Sequence, residues 1–229
     1  STLDRSSAAS DVYKRQGLIE KSWIENNVKF DAFYTGYVCA SQIDPILSIM
    51  DSCKSEGALR IVDPAMADNG KLYAGFADDF PMQMKRLCVG ADYILPNLTE
   101  AAFLLGREPI LSGYDEKFVI ETVHALHDLG AKNVILTGVS LQEDKLGIAT
   151  FDGEKVWYYF NDRNPFSSHG TGDLYASVFA GSMLRGLDMN GAAVLAADVV
   201  CDALNKTPST HWYGACFESA IPYLVSRLN

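Results

Sequence analysis

The sequence predicts an α/β protein in three layers: a mostly parallel central sheet covered by helices on both faces, with one antiparallel hairpin. Three observations carry that expectation. Short apolar runs alternate with helical periodicities along most of the 229 residues. Two apolar runs flank Asp152-Gly153, a strong hairpin signal. Hydrophobic residues make up 48% and charged residues 21%, the balance of a globular chain that buries a sizeable core.

The elements follow in order. Residues 1–16, STLDRSSAASDVYKRQ, are small, polar and aperiodic, and are expected to be a foreign or disordered segment. A single domain is expected over 17–229. Residues 17–28 read as a short helix with Leu18, Ile19, Trp23 and Ile24 on one side. Phe30–Val38 is an apolar, aromatic-rich strand broken at Gly36. Ile43, Ile46, Leu47 and Met50 recur at helical spacing, with Asp44-Pro45 as the expected helix start. Ala58–Val62 reads as a strand stopped by Asp63-Pro64, and Asp68-Asn69-Gly70 as a turn. A helix is expected over 76–89 and a strand from Asp92 to Leu95, cut off by Pro96. Asn97 or Thr99 then caps a helix running through Leu105.

Residues 115–129 form an amphipathic helix, and Asn133–Thr137 an apolar strand followed by Gly138. Leu146–Phe151 and Lys155–Phe160 make the hairpin, and helical patterns cover about 172–185, 191–204 and 214–228. In such a sheet, ligands bind outside the carboxyl ends of the strands. Asp63, Asn97, Thr137 and Asp173 all fall at strand or turn ends and are therefore expected to converge on one crevice.

Charge narrows the function. The net charge of −10 argues against nucleic acid, whose phosphates demand clustered Lys and Arg. It does not argue against a phosphate-bearing cofactor, which backbone N–H groups and Mg²⁺ can hold. Cysteines at 39, 53, 88, 201 and 216 show no close pairing, so reduced core thiols are expected, with Cys88 and Cys201 buried in helices. No apolar run reaches the roughly 18–20 residues of a membrane span, and cytoplasm is the expected location.

The chemistry concentrates in Gly170-Thr171-Gly172-Asp173. Two glycines let the chain approach a ligand closely, and the helix that starts there aims free N–H groups and its positive dipole end outward. Asp173 adds a carboxylate in the first turn, placed to accept a proton from a hydroxyl attacking a phosphoryl group. By itself, so short a segment reads rather as a glycine turn with an acid favouring the helix start. Asn97 and Glu100 lie three apart at another helix start, where Glu100 suits Mg²⁺ through water, or merely completes a cap. The Thr137 hydroxyl suits a phosphate or simply ends a strand. His124 and His127 share a helix without a third ligand and are expected at a boundary rather than at a metal. His169 abuts the glycine turn and either contacts phosphate or does not.

Taken in order, Thr35-Gly36-Tyr37, VDPAMADNGKLY (Val62–Tyr73), PNLTEA (Pro96–Ala101), LTGV (Leu136–Val139) and HGTGDLYASVFAG (His169–Gly181) form a specific set. Over residues 17–229 the chain resembles the pyridoxal kinase branch of the ribokinase-like superfamily. The resemblance implies ATP-dependent phosphorylation of the 5′-hydroxymethyl group of pyridoxal, pyridoxine or pyridoxamine. Hydroxymethylpyrimidine kinase, or a non-catalytic nucleotide-binding fragment, stands as the alternative. It implies Asp173 as base, Gly170, Thr171 and Gly172 as anion hole, Asp63 and Glu100 organising Mg²⁺, and Asn97 and Thr137 on ATP phosphates. Tyr37 would lie against the substrate ring, with the adenine near the 191–205 helix. It further implies a homodimer when intact, with no membrane or nucleic-acid partner. Family members carry a strand, a helix and lid elements ahead of the region that residue 17 opens. An N-terminally truncated kinase with weak or absent turnover is therefore expected.

Overall fold

The computed structural model describes residues 15–165, 168–211 and 213–228. The foreign or disordered segment expected over 1–16 falls outside the described residues except at its last two positions, which belong to the first helix.

That helix, α1, covers 15–25. The order then runs β1 (Phe30–Thr35), α2 (Ala40–Ser52), β2 (Lys54–Val62), β3 (Ala67–Asp68), β4 (Lys71–Leu72), α3 (Phe80–Cys88), β5 (Tyr93–Ile94) and α4 (Leu98–Leu104). It continues through α5 (Glu116–Asp128), β6 (Asn133–Val139), β7 (Lys145–Phe151), β8 (Val156–Asp162), α6 (Thr171–Leu184) and α7 (Met189–Lys206). A 3₁₀ turn (Phe217–Ala220) leads into α8 (Ile221–Leu228). The main sheet has six strands in the order β1-β2-β5-β6-β7-β8. Its first four strands are parallel, and β7 and β8 are antiparallel.

Alternation along the strands builds two cores, one on each face. Val62, Ile94, Val134 and Leu136 point to the face covered by α2, α3, α4 and α5. Their neighbours Ile61, Leu95 and Ile135 point to the face covered by α6 and α7. Successive strand residues face opposite ways, so a strand buried on both sides must be apolar throughout. This is the expected three-layer α/β/α arrangement. At the antiparallel end only glycine fits position 147, because a Cβ there would stand 1.9 Å from the Tyr159 carbonyl oxygen.

Several boundaries differ from expectation. α2 starts at Ala40, not at Asp44-Pro45, and carries Pro45 inside it. The start is held by Gln42, whose side-chain oxygen accepts from the Cys39 N–H at 2.9 Å. Pro45 removes one backbone bond near the helix start, while burial of Ile43 and Met50 spans the whole element. α3 begins at Phe80 rather than residue 76, with Pro81 in the first turn where its missing N–H is harmless. The segment expected as one helix over 214–228 divides into the 3₁₀ turn and α8. Asn69 and Gly70 take φ values of 50° and 77°, which makes the expected turn the tip of a two-stranded ribbon, β3–β4. Among the described residues the cysteines form no disulfide, and Cys201 is half-buried on α7 rather than in the core. Among the described residues no helix is long and apolar enough to cross a membrane.

Candidate active site

The C-terminal ends of the parallel strands open onto a cavity of about 570 Å³. Its wall includes Tyr37, Asp63, Asn97, Glu100, Thr137, Gly170, Thr171, Gly172 and Asp173, so residues more than a hundred positions apart meet there. This is the place at which parallel sheets bind ligands.

Gly170 holds the N-cap position of α6 with φ of 81°, a conformation that favours glycine. A Cβ on Gly170 or Gly172 would meet nothing within 4 Å, so open space lies over the helix start. The first N–H groups of α6 have no acceptor within the helix and face that space. Asp173 is the acidic residue of this first turn. His169 lines the same cavity.

Opposite stand two buried carboxylates. Asp63 follows β2, and its N–H donates to the Thr35 carbonyl at 2.8 Å, extending the ladder to the strand end. Glu100 accepts from the Asn97 N–H at 2.9 Å and from the Met66 N–H at 3.2 Å. The Asn97 side-chain oxygen accepts from the Thr99 and Glu100 N–H groups at 2.8 and 2.9 Å, and its Nδ2 donates to the Ala67 carbonyl at 2.9 Å. Asn97 and Glu100 thus close a reciprocal capping box. Most of the Asn97 amide is committed to this cap, which leaves it one N–H for any ligand. Thr99 accepts from the Gly70 N–H at 3.0 Å and ties the tip of the β3–β4 ribbon to the same helix start. Thr137 bridges to Asn97 across the sheet end.

The electrostatics are strained by design of the cluster. Burial, then the charge of Asp173, pushes Asp63 from 3.8 to about 7. Burial and the charge of Asp63 push Glu100 well above the usual carboxylate range, against the lowering effect of its backbone N–H partners. No salt bridge among the described residues reaches Asp63, Glu100 or Asp173. No group of three His, Cys, Asp or Glu closes a complete metal cage among the described residues. An all-oxygen acidic set of this kind fits a hydrated Mg²⁺ that takes its other ligands from water and phosphate.

The raised value of Asp63 makes stability depend on pH. The folded state holds the Asp63 proton more tightly than the unfolded chain does. Its contribution is therefore full below about pH 4 and is lost as pH rises through about 7. Asp63→Asn is expected to be more stable than the parent at pH 8, with the gap in urea midpoint narrowing at pH 5. A gap of constant size at both values contradicts this origin.

Tyr37 is 60% exposed at the cavity rim, with its ring 5.0 Å from that of Phe76. Residues not singled out in the sequence also belong to the wall. Asp68 and Tyr73 come from the ribbon, within the VDPAMADNGKLY segment. Burial and the charges of Glu100, Asp68, Asp63 and Asp173 push the Tyr73 hydroxyl up to about 12, so it stays protonated as a donor facing carboxylates. Leu146, Ile148, Asn161, Ala197, Val200 and Cys201 line the end against α7. His124 and His127 lie elsewhere, with ring centroids 4.3 and 5.3 Å from that of Phe151.

A helix start open to anions, facing buried carboxylates, offers chemistry that suits a phosphorylated ligand. Residues 20–215 match the family described as phosphomethylpyrimidine kinase, and the chain belongs to that family, within the ribokinase-like superfamily. The hydroxymethylpyrimidine/phosphomethylpyrimidine kinase of Helicobacter pylori is 27% identical over 190 residues, 77% of this chain and 65% of that protein. A pyridoxal kinase of Dictyostelium discoideum is 27% identical over 76% of this chain and 61% of its own length. The chain therefore spans less than two thirds of these relatives. Among solved structures, pyridoxal kinase from Lactobacillus plantarum superposes with a TM-score of 0.84 and 27% identity, covering 94% of this chain and 78% of that one. A Bacteroides thetaiotaomicron protein assigned as a phosphomethylpyrimidine kinase, crystallised with pyridoxal, superposes with a TM-score of 0.87 and 26% identity, covering 93% and 77%.

Proposed function

We propose that this chain is the phosphotransfer core of an ATP- and Mg²⁺-dependent kinase acting on the hydroxymethyl group of a small heteroaromatic acceptor. The observation that carries the reading is the open start of α6 facing Asp63 and Glu100 across one cavity. In it, the N–H groups of Thr171, Gly172 and Asp173 receive the transferring phosphoryl group. The Asp173 carboxylate takes the proton of the acceptor hydroxyl as that oxygen bonds to phosphorus and the terminal phosphoryl group leaves ADP. Bound Mg²⁺ supplies charge neutralisation for the phosphates. Asp63 and Glu100 would hold its waters, and Thr137 and the remaining Asn97 N–H would serve the phosphate chain. Tyr37 covers the acceptor ring at the rim. The apolar wall from Leu146 to Ala197 receives the base of the nucleotide.

The resemblance read from the sequence put pyridoxal first. The family match and the Helicobacter pylori relative favour a hydroxymethylpyrimidine acceptor instead, and that is the reading taken here. Pyridoxal remains the second reading, supported by the pyridoxal kinases among the relatives.

The test is single-turnover transfer from labelled ATP by the full chain, with hydroxymethylpyrimidine, its monophosphate, pyridoxal and pyridoxine offered separately. Transfer is expected, fastest to the pyrimidine. Preference for a B6 vitamer selects the second reading. Mg-ATP binding without transfer to any acceptor overturns both and leaves a nucleotide-binding fragment.

A further inference from the structure

Asp173 has a neighbour that neither the sequence motifs nor the cavity wall brings forward. Tyr34 sits on β1, opposite Ile61 on β2. Ile61 belongs to the core beneath α6 and α7, so the Tyr34 side chain leaves the sheet toward α6. There the Ser177 side chain lies near enough to donate toward its hydroxyl oxygen. Ser177 lies four residues after Asp173, hence on the same face of the helix one turn along.

Gly36 locates the other end of the contact. A Cβ built on Gly36 would stand 3.2 Å from the Tyr34 hydroxyl oxygen and 3.8 Å from Asp173 Oδ1. The phenol and the carboxylate therefore both border the gap left at residue 36 by its missing side chain. Gly36 is not among the glycines with positive φ, so the gap rather than the backbone conformation is what glycine provides here.

Hydrogen-bond accounting gives the phenol a direction. A tyrosine hydroxyl has one proton to donate. With Ser177 as the donor to the Tyr34 oxygen, that proton is free for the gap. Burial and the charges of Asp63 and Asp173 hold the phenol firmly protonated, consistent with a donor.

We propose that Tyr34 is a positioning residue for the base: its hydroxyl donates across the gap beside Gly36, fixing the Asp173 carboxylate and the oxygen between them. The proposal rests on the kinase reading for the role of Asp173, but not for the contact itself.

Two measurements on the full chain keep the proposal and the kinase reading separable. The first uses protein labelled with ¹³Cζ-tyrosine, the Tyr34 resonance being assigned by its loss in Tyr34→Phe. Asp173→Asn and Ser177→Ala are each expected to move that resonance while leaving buried Tyr175 in place. A Tyr34 resonance indifferent to both overturns the proposal, whatever the turnover. The second is kinetic. Tyr34→Phe is expected to lower kcat about tenfold, because a loosened base spends less time aligned, with KM for ATP and acceptor within about twofold. An unchanged kcat overturns the proposal. A parent chain without turnover counts against the kinase reading alone, and the resonance then decides the contact. Gly36→Ala, which fills the gap with a methyl group, is expected to abolish transfer with its urea midpoint near that of the parent.

Discussion

Asp173→Asn is expected to lower kcat by about a thousandfold, within the range that a positioned general base contributes, while leaving the Kd for Mg-ATP within about twofold. The asymmetry follows from the geometry. Under the proposed function, the nucleotide phosphates meet backbone N–H groups at the start of α6, which the substitution leaves in place. The carboxylate faces the gap beside Gly36, where the acceptor oxygen is expected to lie. Asparagine keeps the volume and the fold of the first helical turn but cannot take the proton. Isothermal titration with Mg-ATP and transfer kinetics on the same preparation check both halves. A variant that keeps more than a tenth of the parent rate would remove Asp173 from the role of base. One that loses nucleotide binding as well would assign it to the cation site with Asp63 and Glu100.

Phe179→Ala is expected to destabilise the chain by about 3–5 kcal/mol, the usual range for deleting a fully buried aromatic ring. Phe179 is 0% exposed in the core beneath α6, with its ring 5.4 Å from Tyr93 on β5 in an edge-to-face arrangement. It packs α6 onto the sheet, six residues from Asp173. Against a total stability of about 5–15 kcal/mol, the loss is a large share. Urea unfolding checks it: the midpoint should fall while the m-value holds. A loss below about 1 kcal/mol would mean that the core closes over the cavity, and that the ring is not what seats the helix.

Much of this organisation was readable from local chemistry. Ile61-Val62, Ile94-Leu95 and Val134-Ile135-Leu136 are apolar without interruption because both faces of each strand are covered. Asp152-Gly153 and Asn69-Gly70 marked their turns through backbone preferences that act within two residues. Asn97 and Glu100, three apart, carried the signature of a reciprocal cap, and that cap is what the structure contains. The same spacing could not tell that capping leaves Asn97 with little to offer a phosphate. Pro45 misled because a helix start was inferred from a residue type, while the start is set by Gln42 bonding back to Cys39. Tyr34 and Tyr73 carried no legible signal. Their importance comes from proximity to Asp173 and Glu100, and that proximity is created by segments far apart in the chain. Cys201 was expected in the core because a helical stripe says which side is apolar, not whether that side ends at a cavity.

The cavity straddles the ends of two cores that share a sheet but not a boundary. Tyr37, Asp63 and Tyr73 reach it from loops over one core, while Thr171, Gly172, Asp173 and Ala197 reach it from helices over the other. Under the proposed assignment, Tyr37 meets the acceptor from the loop side, Asp63 serves the cation from that same side, and the start of α6 receives the phosphoryl group from the other. Variation in the loops can alter which alcohol is chosen without disturbing the helix start that transfers the phosphoryl group. On that assignment, substitutions around Tyr37 change the choice of acceptor while Asp63 and the start of α6 are kept.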